Sequence, residues 1–199
     1  MSDPDDSVDP PPRTRDIRYL AIALAFVAAG CFGYAAFTKH WLVKGDIFGF
    51  GLWSYQQCAG DRCESDSNAD FVEKWQQIRG DTEYTSGAFV PAGKATFVLL
   101  LLAAAGLVGA AAIALARKHP VLPVSPSSVA LLAIMFALIA GCVFVATKPG
   151  EAGFVGVGGS FWVFGAGAIA GIAGAQMLAK INRPRDPDLM ADAMNPDEF

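Results

Sequence analysis

Four stretches of this chain, 17–38, 94–116, 127–147 and 160–181, are apolar almost throughout, and nothing else in the sequence constrains its fold as tightly. At about 1.5 Å of rise per residue, each covers roughly 30 Å, the thickness of a bilayer's hydrocarbon core. A backbone in that core has no water to bond to, so its N–H and C=O groups must pair within the segment. Four transmembrane helices are therefore expected. Composition agrees: 53% of the 199 residues are hydrophobic, and the mean hydropathy of +0.38 is high for a soluble domain.

The flanks divide accordingly. Residues 1–16, rich in Asp and Pro, cannot bury a core and read as a disordered tail, as do 182–199. The first apolar run is longer than a signal-peptide core and lacks a small-residue cleavage site, so it reads as an uncleaved signal anchor. Arg13, Arg15, Arg18, Arg117, Lys118, Lys180, Arg183 and Arg185 lie on one side of this topology. Lys39, Lys44, Arg62, Lys74, Arg79, Lys94 and Lys148 lie on the other. The counts nearly balance, but the first set is concentrated on short flanks, which places both termini and the connection 117–126 in the cytoplasm. Segments 39–93 and 148–159 are then external, and the membrane is the plasma membrane, or the inner membrane in a bacterium.

The external segment 39–93 carries the polar and aromatic character of the chain. Trp41, Val43, Ile47, Phe48, Phe50, Leu52, Trp53 and Tyr55 alternate in a strand-like way, punctuated by Gly45, Gly49 and Gly51, which predicts a small antiparallel sheet with tight turns. Cys58 and Cys63 enclose Ala-Gly-Asp-Arg, a turn sequence that could join two strands through a disulfide. Two free thiols or a metal-binding pair are the other readings of these cysteines. Phe71, Trp75 and Ile78 share one face at helical spacing, after Ser67 or Asn68 as a cap and before Gly80. A short amphipathic helix is expected there, with a strand as the alternative. Trp41 and Trp53 suit anchoring at the water–lipid boundary, each an apolar face with one N–H for water or a carbonyl, or they are ordinary belt residues like Trp162.

At Trp41, Gly51-Leu52-Trp53, Cys58 and Cys63 the chain resembles the first-loop signature of the claudin and PMP22 superfamily. Lys94 opens the second span where that family carries an Arg, and 154–162 resembles its last strand running into the fourth helix. The resemblance covers 17–181 and implies a four-helix bundle capped by an extracellular β-sheet, with a structural or adhesive role. There are departures from the pattern. Four residues separate Trp53 from Cys58 and four more separate the cysteines, the second loop is short, and the chain ends Glu198-Phe199 without a Tyr-Val terminus. The Ala- and Gly-heavy helices would suit a bacterial claudin-like protein.

Several function classes are disfavoured by what the spans lack. No Asp, Glu, Lys, Arg or His falls well inside any of them, although such residues mark pumps and proton relays. Haem is not expected, because His40 and His119 fall on opposite sides of the bilayer, and no other cofactor is indicated. Cys31 and Cys142 read as small hydrophobes within spans. Gly167, Gly171 and Gly174, like Gly106 with Ala110, form small-residue stripes that serve either packing within the bundle or lateral self-association. Asp61, Glu64, Asp66, Asp70, Glu73, Asp81 and Glu83 outnumber the bases around them; this is a solvated acidic face, or a cation-favouring one if loops line a gap between molecules. The expectation is a non-enzymatic structural or adhesion protein in contact with lipid, forming homo-oligomers or meeting another membrane protein, with no nucleic-acid role. The alternatives are an auxiliary subunit of another membrane protein and, less favoured on spacing, a thiol-disulfide oxidoreductase using Cys58 and Cys63.

Overall fold

The computed structural model describes residues 13–60, 62–79, 86–116, 124–150 and 154–182, with backbone alone for 13–16 and 79. In chain order the elements are α1 (Arg13–Phe37), β1 (Leu42–Lys44), β2 (Phe48–Phe50), β3 (Ser54–Ala59), β4 (Arg62–Ser67), α2 (Asn68–Arg79), α3 (Phe89–Ala116), α4 (Pro126–Ala146), β5 (Gly156–Val157) and α5 (Gly159–Ile181). The expected tails fall mostly outside the described residues, as do Asp61, Gly80, Asp81, Glu83 and His119.

Four of the helices are long and apolar enough to cross a membrane. Helix α3 starts five residues before the position expected from Lys94, because Phe89 and Val90 extend the apolar face and Pro91 lies in the first turn, where its missing N–H costs no intrahelical bond. Helix α4 opens on a side-chain cap: Ser125 Oγ accepts from Ser128 N at 3.1 Å, with Pro126 at the first helical position. At the end of the bundle away from the sheet, Arg18 donates to the Leu115 carbonyl and Asn182 Nδ2 to that of Ala110.

The four long helices close into a ring, with α1 against α5 and α3, and α4 against α3 and α5. Small residues set its tightest contacts. A methyl group added at Gly167 would stand 2.7 Å from Cys31 Cβ, one at Gly171 2.9 Å from Ile134 Cδ1, and one at Gly174 3.2 Å from the Ala25 nitrogen. These glycines therefore bring α5 down onto α1 and α4 inside the bundle. That face is occupied within the molecule, so lateral self-association would need a different one. Gly106 meets Ala130 of α4 in the same manner.

Large apolar side chains face outward instead, among them Val27 and Tyr34 on α1, Leu102 on α3, Phe136 and Ile139 on α4, and Trp162 and Ile169 on α5. Water penalises such a surface and hydrocarbon does not. The protein is a membrane-embedded, multi-pass chain. Cys142 is exposed on α4 rather than buried in packing, whereas Cys31 is half-buried.

A five-stranded antiparallel sheet in the order β4-β3-β2-β1-β5 forms from the two connections at one end of the bundle. Strand β5 comes from the short second connection and pairs with β1 through Leu42 opposite Val157. Across the middle strands, Leu42, Phe50 and Tyr55 fall in register and are all buried. This row is the apolar underside by which the sheet rests on the helices.

Candidate functional site

The local sequence after α1 explains how the sheet is mounted. A helix leaves its last four carbonyls without intrahelical partners. Trp41, four residues past Phe37, turns its ring back under the sheet, and its Nε1 donates to the Ala35 carbonyl at 2.6 Å. The indole is fully buried. Its ring meets Phe164 at 5.2 Å, Phe144 at 6.0 Å and Phe161 at 6.1 Å between centroids, so α4 and α5 both grip it. Trp41 is thus an internal pin. Of the two partners expected for its N–H, water or a carbonyl, the ring takes a carbonyl inside the protein.

Gly51-Leu52-Trp53 forms a wedge between the end of α1 and the start of α3. Gly51 N donates to the Ser54 carbonyl at 2.8 Å, and a methyl at Gly51 would stand 2.5 Å from the Thr38 carbonyl. Leu52 is buried, and its carbonyl lies so close to Gly93 of α3 that no Cβ would fit there. Trp53, by contrast, is 50% exposed. It stands 5.8 Å from Phe97, and Lys94 Nζ lies 5.2 Å from its ring centroid in a cation–π contact. Thus of the two tryptophans only Trp53 presents part of its ring outside the protein, and Lys94 is its partner.

Residues not singled out from sequence complete the mount. Phe89 stacks on Phe144 at 4.8 Å and meets Phe50 at 6.1 Å, linking the underside of the sheet to the pin. Phe144 lies in an apolar span, where nothing separates it from lipid-facing aromatics, and Phe89 lies before the expected start of the second span. Asn68, considered only as a cap, is buried and donates to the Gly51 carbonyl at 2.9 Å. The cap itself is Ser67, whose Oγ accepts from Asp70 N at 3.1 Å while the Asp70 carboxylate accepts from Ser67 N at 3.3 Å.

Beyond the mount, β3 and β4 project as a hairpin. Cys58 and Cys63 oppose each other in its register and are joined by a disulfide. Helix α2 covers the hairpin's base through Phe71, which meets Phe50 and Tyr55 at 4.9 Å each. The apolar stripe expected on α2 is covered by the sheet only over its first turns: Phe71 is buried, Trp75 half-buried, and Ile78 is 76% exposed. Lys74 Nζ meets Asp66 at 2.6 Å, and Tyr55 OH donates weakly to the same carboxylate at 3.5 Å. The Lys74 hydrogen bond and charge hold the Asp66 carboxyl below its ordinary range, and the same bond raises the Lys74 ammonium. Burial pushes the Tyr55 phenol up.

The outer surface that results is polar. Arg62 and Glu64 on β4, and Asp70 and Glu73 on α2, are exposed. Among the described residues, no group of three or more His, Cys, Asp or Glu side chains is placed to hold a metal. Cys31 and Cys142 lie on α1 and α4, within spans, rather than beside the disulfide. On this surface Lys39 Nζ donates to Ser65 Oγ at 2.6 Å and Ser67 Oγ to the Asp70 carboxylate at 2.7 Å. No protein-family model matches the chain, and no curated protein matches it in sequence.

Proposed function

We propose that this chain is a non-catalytic, claudin-like contact protein whose extracellular sheet meets neighbours in the membrane or on an apposed surface. One observation carries the reading: the exposed hairpin of β3 and β4 is bridged across its strands and mounted on the bundle through a buried pin. A surface that must meet a partner gains affinity from being rigid beforehand, since less ordering is left to the moment of binding. A barrier or a cation-favouring path between molecules suits the exposed Glu64, Asp70 and Glu73. A reconstituted assembly that conducts chloride better than sodium would reject the cation preference.

A photo-crosslinking residue placed at Glu64, in native membranes, tests the main claim. Adducts with a second copy support self-assembly through the sheet. Adducts with one other membrane protein support the auxiliary-subunit reading of the same surface. Absence of any adduct at Glu64, Arg62 and Glu73 sinks the contact role, as would quinone-linked dithiol oxidation lost in Cys58→Ser.

A further inference from the structure

A cleft of about 290 Å³ opens between the end of α1 and the third turn of α3, lined by Ala36, Phe37, Leu52, Trp53 and Phe97. Its walls are mostly apolar and aromatic. Phe37 and Trp53 both lean on Phe97, at 5.5 and 5.8 Å between centroids. Yet Phe37 remains 71% exposed and Trp53 50% exposed, so the aromatic wall is left open to the outside. Its volume falls below that of sites that enclose a whole small molecule. It suits one segment of a longer apolar chain.

The position of the cleft says which chain. Phe37 is the last residue of a membrane span, and the Gly51-Leu52-Trp53 wedge of the sheet forms the opposite rim, so the cleft straddles the boundary between hydrocarbon and water. Lys94 stands on α3 three residues before Phe97, roughly 4.5 Å along the helix toward the sheet. Its side chain is exposed and lies over the Trp53 ring, and among the described residues it has no carboxylate partner. An apolar slot with a cation one turn above it, paired with no carboxylate among the described residues, has the layout of a phospholipid: acyl chain below, phosphate above.

We infer that this cleft is a site for an anionic phospholipid of the leaflet on the sheet side, with an acyl chain against Phe37 and Phe97 and the headgroup phosphate at Lys94. The lipid then packs beneath the wedge that carries the sheet. This inference needs the membrane embedding but not the contact role, so either can fail alone.

Brominated lipids test it, because bromine on an acyl chain quenches tryptophan only at contact. Full-length protein is reconstituted in phosphatidylcholine vesicles containing a minor fraction of phosphatidylglycerol, with bromine on one lipid or the other. The difference in emission between wild type and Trp53→Phe isolates Trp53 from the other tryptophans. Brominated phosphatidylglycerol should quench Trp53 about fivefold more effectively per molecule than brominated phosphatidylcholine, the preference expected of one basic side chain at a lipid surface. Lys94→Gln should abolish that preference and Lys94→Arg should keep it. Equal quenching by the two lipids in wild type overturns the site. So does a Trp53 quenched by neither, which would mean a second copy or a segment of this chain fills the cleft, and so does a preference that survives Lys94→Gln.

Discussion

The two halves of the sheet are held by opposite means. Strands β1, β2 and β5 are two or three residues long, too short to hold register by their own ladders, yet Leu42 and Phe50 in them are fully buried. Their position comes from below, from Trp41, Phe89 and Phe144. Strands β3 and β4 are six residues each and mostly exposed or half-exposed, and β4 buries no residue. Their register comes from within, from the ladder and the Cys58–Cys63 bridge. The lesson is that a sheet on a membrane bundle needs helix contact where it is short and covalent help where it leaves the helices.

The sharpest test of that contrast is Trp41→Ala. It removes a fully buried indole and leaves the Ala35 carbonyl unpaired, for a cost of about 3–5 kcal/mol by analogy with core truncations. Thermal unfolding in detergent should show the whole fold destabilised. If Trp41→Ala proves no worse than Trp53→Ala, the mount is wrongly assigned. Next in size is the double change of Cys58 and Cys63 to Ser, about 2 kcal/mol from loop closure over so short a loop. Its effect should stay local. Hydrogen exchange should quicken across β3 and β4 and leave α1, α3, α4 and α5 protected; exchange that quickens in the helices as well would erase the distinction between the halves.

Trp53→Ala should cost less, because half of that ring is already exposed and its pairing with Lys94 is worth about 0.5–1 kcal/mol. The same detergent melts read it, and a loss matching that of Trp41→Ala would contradict the division of roles. Smallest of all is the Asp66–Lys74 pair, which is solvent-exposed and screened by salt. Asp66 titrates below its ordinary 3.8, so its stabilising effect is complete above that value and is lost as pH falls through the lower folded-state value. Lys74 titrates above 10.5, so its contribution is complete below that value and lost as pH rises beyond it. The small stability difference between wild type and Asp66→Asn should therefore stay flat from pH 5 to pH 10, taken as about the interval between those limits, and should shrink on strong acidification. A difference that varies near neutral pH would implicate other groups.

Much of the fold was legible in residue order. Continuous apolarity marks a span because hydrocarbon admits only a self-satisfied backbone, and that rule acts within each segment. The short helix α2 was readable too, from Ser67 or Asn68 as a cap and the spacing of Phe71, Trp75 and Ile78, with a strand as the alternative. What lay hidden was which apolar residue meets which. Phe144 looks like Phe136 in the sequence, yet the first is buried and the second faces outward, while buried Phe89 fell before the expected start of its span. In a membrane segment every face is apolar, so hydrophobic periodicity, which separates inside from outside in a soluble helix, carries almost no signal. For the same reason the glycines of α5 could be assigned to the bundle only once α1 was seen against them.

Residue order was enough for four spans and for a polar connection whose strands a disulfide could join, because each follows from local chemistry and solvent. That Trp41 is buried while Trp53 is half exposed, and that Lys94 stands over an open apolar cleft, came from packing. Those choices depend on how helix ends converge, a relation among residues far apart in the chain that no local pattern encodes.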